Sequence, residues 1–392
     1  MRRRDFLAAG TAMALPIAAP RLSRAAEPLK IGLILPMTGP FASTGRQIEG
    51  AVRLYMQQNG SEVAGRSIEV IIRDDANVAD ATRRHAQELV VNDKAAVLAG
   101  FGLTPLALAA APIATRAKVP QVVMAAATSS ITDSSPFIVR TSQTVPQVAL
   151  PLGHWAPENG IRKVVTVVSD YGPGIDAEKW FKEPFVQAGG QVPESLRVPL
   201  ASPDFAPFLQ RARDASPDAV FIFVPSGAGS VFMKQFAERG LKEAGIRLIG
   251  LGDVLDDDIL NNMGDQALGV VTSQHYSAAH DSPLNKSFVK AFRAANNNMR
   301  PNYMAVGGYD GMALIYKALE KTKGASGGPA LLEAMKGLSW ESPRGPISID
   351  AQTRDIVQNI YMRRCERVDG ELYNVEFATI PAVRDPAKPA SG

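Results

Sequence analysis

A single cysteine, Cys365, stands among the 392 residues, so no internal disulfide can staple the chain. There are only four histidines, His85, His154, His275 and His280, and none falls in the H-E-x-x-H spacing that places two imidazoles on one helix face for a metal. The usual catalytic frameworks are missing too. Ser226 sits in Pro225-Ser226-Gly227 without the full G-x-S-x-G elbow, and no Walker phosphate loop occurs. Long apolar runs are lacking: the stretch from Ala8 to Pro20 is shorter than the ~20 residues needed to span a bilayer and is broken by Pro16 and Pro20. An excess of one charge is also absent. Residues 1–26 hold five Arg and one Asp, +4, against a formal +3 for the whole chain, which leaves −1 for the remainder. That near-neutral remainder argues against nucleic acid or an anionic membrane as partner.

What is present begins with the first residues. Met1-Arg-Arg-Arg4-Asp5-Phe6-Leu7, the short apolar run and Ser23-Arg24-Ala25-Ala26 have the basic start, apolar middle and small-residue cleavage site of a signal peptide over residues 1–26. Arg3-Arg4 followed by Phe6-Leu7 is similar to a twin-arginine export address, with Arg2 where a hydroxyl residue is usual. A membrane anchor or a basic tail is the alternative. No lipid-bearing cysteine sits near the cleavage site, which implies a released, exported protein.

Beyond residue 28 the pattern alternates short apolar strands with helices, which implies parallel pairing through crossover connections. Leu29 to Pro36, Ile68 to Arg73, Ala95 to Ala99 and Gln121 to Met124 read as strands, with helices between them. A second series runs from Lys163 to Ser273. Helices Asn285 to Asn296, Tyr309 to Lys321 and Pro329 to Lys336 then have too few strands for a third sheet, so they are expected to complete the first lobe. Asp355 to Arg364 and Leu372 to Phe377 form an expected edge hairpin around Asp369-Gly370. The expected fold class is α/β, with two doubly wound parallel-sheet lobes, and 384–392 is read as a disordered tail.

In open α/β sheets, ligands bind beyond the carboxyl ends of the strands, so the loops after strands are the ones to read. Met37 to Gly45 offers Gly39, Gly45 and three hydroxyls, among them Thr44, as ligand contacts or as plain turn and cap residues. Gly100-Phe101-Gly102-Leu103-Thr104-Pro105 lacks the third glycine of a dinucleotide fingerprint. It retains Thr104 at a helix start, where backbone N–H groups favour a carboxylate. Ala125 to Ser130 has small residues and Thr128, suited to a close ligand or to close packing. Tyr171, between a strand end and Gly172-Pro173-Gly174, is placed to cover a bound molecule. Asp253 is a candidate partner for an ammonium or hydroxyl, and Asp256-Asp257-Asp258 reads as a charged helix N-terminus.

Ile31-Gly-Leu-Ile-Leu-Pro-Met-Thr-Gly-Pro40, Ala126-Ala127-Thr128, Asp170-Tyr171-Gly172 and Arg344-Gly345-Pro346 together resemble the periplasmic leucine/isoleucine/valine-binding protein family, the type I solute receptors of ABC importers. The resemblance covers Leu29 to Phe377. It implies two lobes joined by three crossovers with the ligand cleft between them, 28–146 plus 278–345 and 147–277 plus 346–383. It implies a carboxylate on Thr104, contacts from Ala126 and Thr128, Tyr171 as cover and Asp253 as ammonium partner. Leu103, Thr44, Ser226 and Tyr276 complete the candidate ligand-binding set. Thr44 and Ser226 depart from the tyrosines common in the family's amino-acid binders, and Leu103 and Pro105 replace serines. These departures suit an aromatic or aliphatic acid as well as a branched-chain amino acid. The resemblance further implies no enzymatic activity, no cofactor, a monomer in the periplasm, and permease subunits in the inner membrane as partners. A sensory module and an exported hydrolase are the alternatives.

Overall fold

The computed structural model describes residues 27–201 and 203–389; the expected signal segment lies outside them. In the first lobe, β1 (Leu29–Leu35), β2 (Glu62–Val63), β3 (Arg66–Asp74), β4 (Val97–Gly100), β5 (Gln121–Val123) and β6 (Ile138–Arg140) form one sheet. Its order is β2-β3-β1-β4-β5-β6, parallel except for the β2–β3 hairpin. Alternate residues of β1 go to opposite faces, as a strand buried on both sides requires. Ile31, Leu33 and Leu35 pack with α1 (Ala42–Asn59), whereas Ile34 packs beneath α2 (Ala79–Val91) and α3 (Thr104–Ala117).

The second lobe opens with α4 (Val145–Glu158). It continues through β7 (Val164–Ser169), α5 (Gly172–Gln187), β8 (Ser195–Val198), α6 (Ala206–Asp214), β9 (Ala219–Phe223), α7 (Gly229–Glu238), β10 (Arg247–Leu251), α8 (Leu260–Met263) and β11 (Val271–Gln274). The chain then returns to cover the first sheet with α9 (Pro283–Ala295), α10 (Tyr303–Lys321) and α11 (Gly328–Met335). It ends with β12 (Ser339–Ser342), β13 (Gly345–Ile349), β14 (Ile356–Val368) and β15 (Glu371–Val383). The second sheet runs β12-β13-β14-β11-β10-β9-β7-β8, with β15 on the free side of β14. Asp369 (φ 49°) and Gly370 (φ 86°) make the two-residue turn between β14 and β15 with both residues at positive φ.

Three expectations need correcting. The boundary at 345/346 falls inside the β12–β13 pair, because both strands hydrogen-bond into the second sheet while Ile349 and Trp340 pack on the first lobe's core. The third connection is therefore a strip of sheet shared by the lobes, locked by the buried pair Arg344–Asp310 at 2.7 Å and by Arg344 donating to the carbonyl of Thr141. The expected disordered tail is seated through residue 389, since Asp385 is buried and accepts from the Ser129 hydroxyl at 2.5 Å. Helix α10 begins six residues earlier than its apolar period suggests. Gly307 and Gly308 mask the start, and both serve close packing: a Cβ at Gly307 would lie 2.2 Å from the Met124 carbonyl oxygen, and one at Gly308 3.0 Å from that of Ile48. Cys365 is buried, and burial pushes its thiol up to about 12.

Each sheet has a point where strand order reverses, between β1 and β4 in the first and between β7 and β9 in the second. The crevices beyond those strand ends face each other.

Candidate functional site

A narrow cleft lies between the lobes. Its walls are the loops after β1, β4 and β5 from one lobe and after β7, β9 and β10 from the other. Phe41, Thr44, Leu103, Thr104 and Ala126 line it from the first lobe, and Tyr171, Phe223, Ser226 and Asp253 from the second. The lobes touch directly around it: Ser43 Oγ donates to Asp258 Oδ2 at 2.6 Å.

One end is built from helix N-termini. Helix α3 starts at Thr104 and α5 at Gly172, and neither first turn has a side-chain cap or an acidic residue. The N–H groups of a first helical turn have no intrahelical acceptor, and the macrodipole adds partial positive charge there. Thr104 Oγ1 and Thr128 Oγ1 are 2.9 Å apart at the same place. The absence of a side chain at Gly172 lets α5 come this close, since a Cβ would stand 2.9 Å from Thr128 Oγ1. Two uncapped helices from opposite lobes and two hydroxyls thus converge where an anion is best received.

The middle is apolar. Tyr171 and Phe223 stack with centroids 6.3 Å apart and planes at 15°, facing Phe41, Leu103 and Met304. Among the described residues no protein group bonds the Tyr171 hydroxyl; burial, then the charge of Asp253, raise its pKa well above the usual phenol.

The other end is acidic and closed by a tyrosine. Tyr303, the first residue of α10, donates its hydroxyl to Asp253 Oδ1 and lies 2.7 Å from Ser226 Oγ, which is 3.0 Å from Asp256 Oδ1. Gln274 Nε2 donates to Asp253 Oδ2 at 3.4 Å. Burial pushes the Asp253 carboxyl up to about 6, against the lowering effect of the Tyr303 bond and the Arg363 charge. Burial and the neighbouring charges of Asp258 and Asp253 drive Asp256 well above the carboxylate range. Behind this end His275 Nδ1 meets Gln143 Oε1 at 2.8 Å, and burial together with Arg344 and Arg363 keeps the ring well below the usual imidazole range.

Several candidate residues take different roles from those expected. Ala126 reaches the cleft, but its N–H is committed to the Phe101 carbonyl at 3.0 Å, so it presents its methyl group rather than a free amide. Thr44 and Gly45 lie inside the first turn of α1, not in a loop. Gly45 is required by close approach, its Cβ site being 2.3 Å from the Pro36 carbonyl oxygen, whereas Gly39 does adopt positive φ (78°). Tyr276 is not a cleft residue: it is buried in the first lobe's core and donates its hydroxyl to Asn285 at 3.0 Å. Asp256 and Asp257 do not form a charged helix N-terminus: α8 has no acidic residue in its first turn, and both are 3% exposed, Asp256 bonded to Ser226 and Asp257 accepting from Asn374, with Arg363 at 4.0 Å from Asp257. Tyr303, Gln143, Phe223, Phe41 and Met304 escape sequence reading. For Tyr303 a signal exists in Pro301-Asn302, since the Asn302 side chain accepts from the Met304 and Ala305 N–H groups as a helix cap.

No described helix is long and apolar enough to cross a membrane, and the described residues hold no cluster of three or more His, Cys, Asp or Glu side chains suited to a metal. A solved solute-binding protein of an ABC transporter from Rhodopseudomonas palustris BisB5, in complex with 3,4-dihydroxybenzoic acid, is 62% identical and superposes with a TM-score of 0.91, covering 92% of this chain and 99% of that one. Another from R. palustris HaA2, with p-hydroxybenzoic acid, is 42% identical with a TM-score of 0.89 over the same shares. A Brucella melitensis protein described as a Leu/Ile/Val-binding protein homolog is 45% identical over 365 residues, 92% of this chain and 94% of that one. A family model described as periplasmic binding protein matches residues 28–371. With the two facing doubly wound lobes and the cleft at their switch points, these matches settle the family: this chain is a periplasmic binding protein.

Proposed function

We propose that the protein is the periplasmic solute receptor of an ABC importer and that its ligand is a small aromatic carboxylate. The observation that carries this reading is the convergence of the α3 and α5 N-termini on the Thr104 and Thr128 hydroxyls, a carboxylate site at one end of an aromatic-walled cleft. The aromatic acids bound to the two R. palustris relatives support the same choice. The receptor closes its lobes on the acid, carries out no chemistry on it and delivers it to permease subunits in the inner membrane. It acts as a monomer, exported by the leader in residues 1–26 and released into the periplasm.

Titration calorimetry with benzoate, 4-hydroxybenzoate, 3,4-dihydroxybenzoate and L-leucine, paired with small-angle scattering, tests the reading. An aromatic acid should bind with evolution or uptake of heat and make the molecule more compact. Thr104→Val removes a hydrogen bond to a charged group and should weaken that acid by about 1.5–3 kcal/mol. Silence from every acid, with no compaction, would refute the proposal.

A further inference from the structure

The acidic end of the cleft holds two carboxyls and two hydroxyls in a row. Asp256 Oδ1, Ser226 Oγ, the Tyr303 hydroxyl and Asp253 Oδ1 make three successive contacts. Three hydrogen bonds need three hydrogens, and the hydroxyls of Ser226 and Tyr303 supply two. The third sits on a carboxyl group at one end of the row. Burial and the negative charges of Asp258, Asp253 and Asp257 favour the proton on Asp256, whereas the Tyr303 and Gln274 bonds and the Arg363 charge favour ionised Asp253. The row therefore reads from the Asp256 carboxylic acid to Ser226, on to Tyr303, and ends on the Asp253 carboxylate. Its single negative charge is already bonded by Tyr303 on one oxygen and approached by Gln274 on the other.

This arrangement treats two kinds of ligand differently. An ammonium brings three donors and a full charge and needs a carboxylate free to face it. Here it must share the Asp253 carboxylate with the Tyr303 and Gln274 donors, and displacing the Tyr303 hydroxyl would leave that buried group and Ser226 short of partners. A ring hydroxyl brings one donor, one acceptor site and no charge. The Tyr171 hydroxyl, beside Asp253 and without a protein partner among the described residues, is available to pair with it. Specificity of this kind combines an attractive group with a penalty against the competitor.

We infer that Tyr303, held by Asp253 and Ser226, is the specificity-determining residue of the cleft: it occupies the place an amino acid's ammonium would take and tunes this end for an uncharged hydroxyl on the ring of an aromatic acid. The inference rests on the aromatic-carboxylate reading above and deepens it.

The test is the ratio of affinities for 4-hydroxybenzoate and benzoate, measured by calorimetry on the full mature protein and on Tyr303→Phe and Ser226→Ala, with L-leucine as the amino-acid probe. The native protein should favour 4-hydroxybenzoate by about tenfold or more, the effect of a hydrogen bond into a charged network, and should give no heat with L-leucine. Tyr303→Phe should bring the ratio to within about threefold. Ser226→Ala should reduce the ratio too, and serves alone if Tyr303→Phe does not fold. Equal native affinity for both acids overturns the inference and leaves the carboxylate reading standing, as does a high ratio unmoved by the variants. L-Leucine binding more tightly than either acid overturns both. If none of the probes binds, the carboxylate reading itself falls.

Discussion

Gly172→Ala isolates the approach of the two lobes from the stability of either one. The three atoms nearest the added methyl all belong to the opposing lobe: Thr128 Oγ1 at 2.9 Å, Thr128 Cγ2 at 3.7 Å and Thr104 Cγ2 at 3.9 Å. Thr128 Oγ1 cannot swing aside without giving up its contact with Thr104 Oγ1 at 2.9 Å. Overpacking of this kind costs about 1–3 kcal/mol, whereas the gain in helix propensity at the start of α5 acts in open and closed forms alike and cancels from binding. The dissociation constant for the aromatic acid should therefore rise by about 5- to 150-fold, while the melting temperature without ligand stays within about a degree of native. Gly174→Ala, two residues along, provides the contrast. Its methyl would fall 1.8 Å from the carbonyl oxygen of Ser169 in the same lobe, so its damage should appear as lost stability of the unliganded protein. Gly327→Ala, with nothing within 4 Å of the added atom, is the neutral control. Calorimetry, scattering with saturating ligand and thermal melts of the three variants decide the matter. An unchanged dissociation constant for Gly172→Ala, or a ligand-free melting loss as large as that of Gly174→Ala, would refute the claim that this glycine serves lobe closure.

Two further outcomes follow from buried charge. Asp253 is 5% exposed and its carboxyl is raised to about 6. A carboxyl with a raised native pKa binds its proton more tightly when folded, so its contribution favours folding at low pH and is lost as pH climbs from about 4 through about 6, then levels off. Asp253→Asn should flatten that decline by about 2 kcal/mol, read as the difference between urea unfolding at pH about 4.5 and about 7.5; parallel curves for the two proteins would contradict the placement of an ionised Asp253 in a buried site. Asp310→Asn leaves the buried Arg344 guanidinium without its counter-charge at 2.7 Å and should cost about 3–5 kcal/mol in the same assay. A loss below 1 kcal/mol would show that the hinge pair is solvated.

The sequence by itself determined the parts of this protein that depend on local order. Strands buried on both faces appear as short apolar runs wherever they occur, and alternation with helices forces parallel pairing, so two doubly wound lobes could be read without coordinates. Asp369-Gly370 announced the last hairpin because two consecutive positive φ angles select those residues. Thr104 and Tyr171 were legible since a site at the carboxyl ends of strands is built from the residues that follow them. Only the tertiary structure decided which of the remaining polar groups meet. Tyr303 lies 50 residues from Asp253 and 77 from Ser226, on a helix whose start is masked by glycines kept for packing against Met124 and Ile48. Tyr276 stands in an equally suggestive crossover and turns into the core instead. Asp256 and Asp257 look in sequence like a charged helix start, but Ser226, Asn374 and Arg363 of their own lobe meet them in a buried place. Periodicity records how a segment is buried, not what is brought against it, and the specificity of this cleft lies in contacts of the second kind.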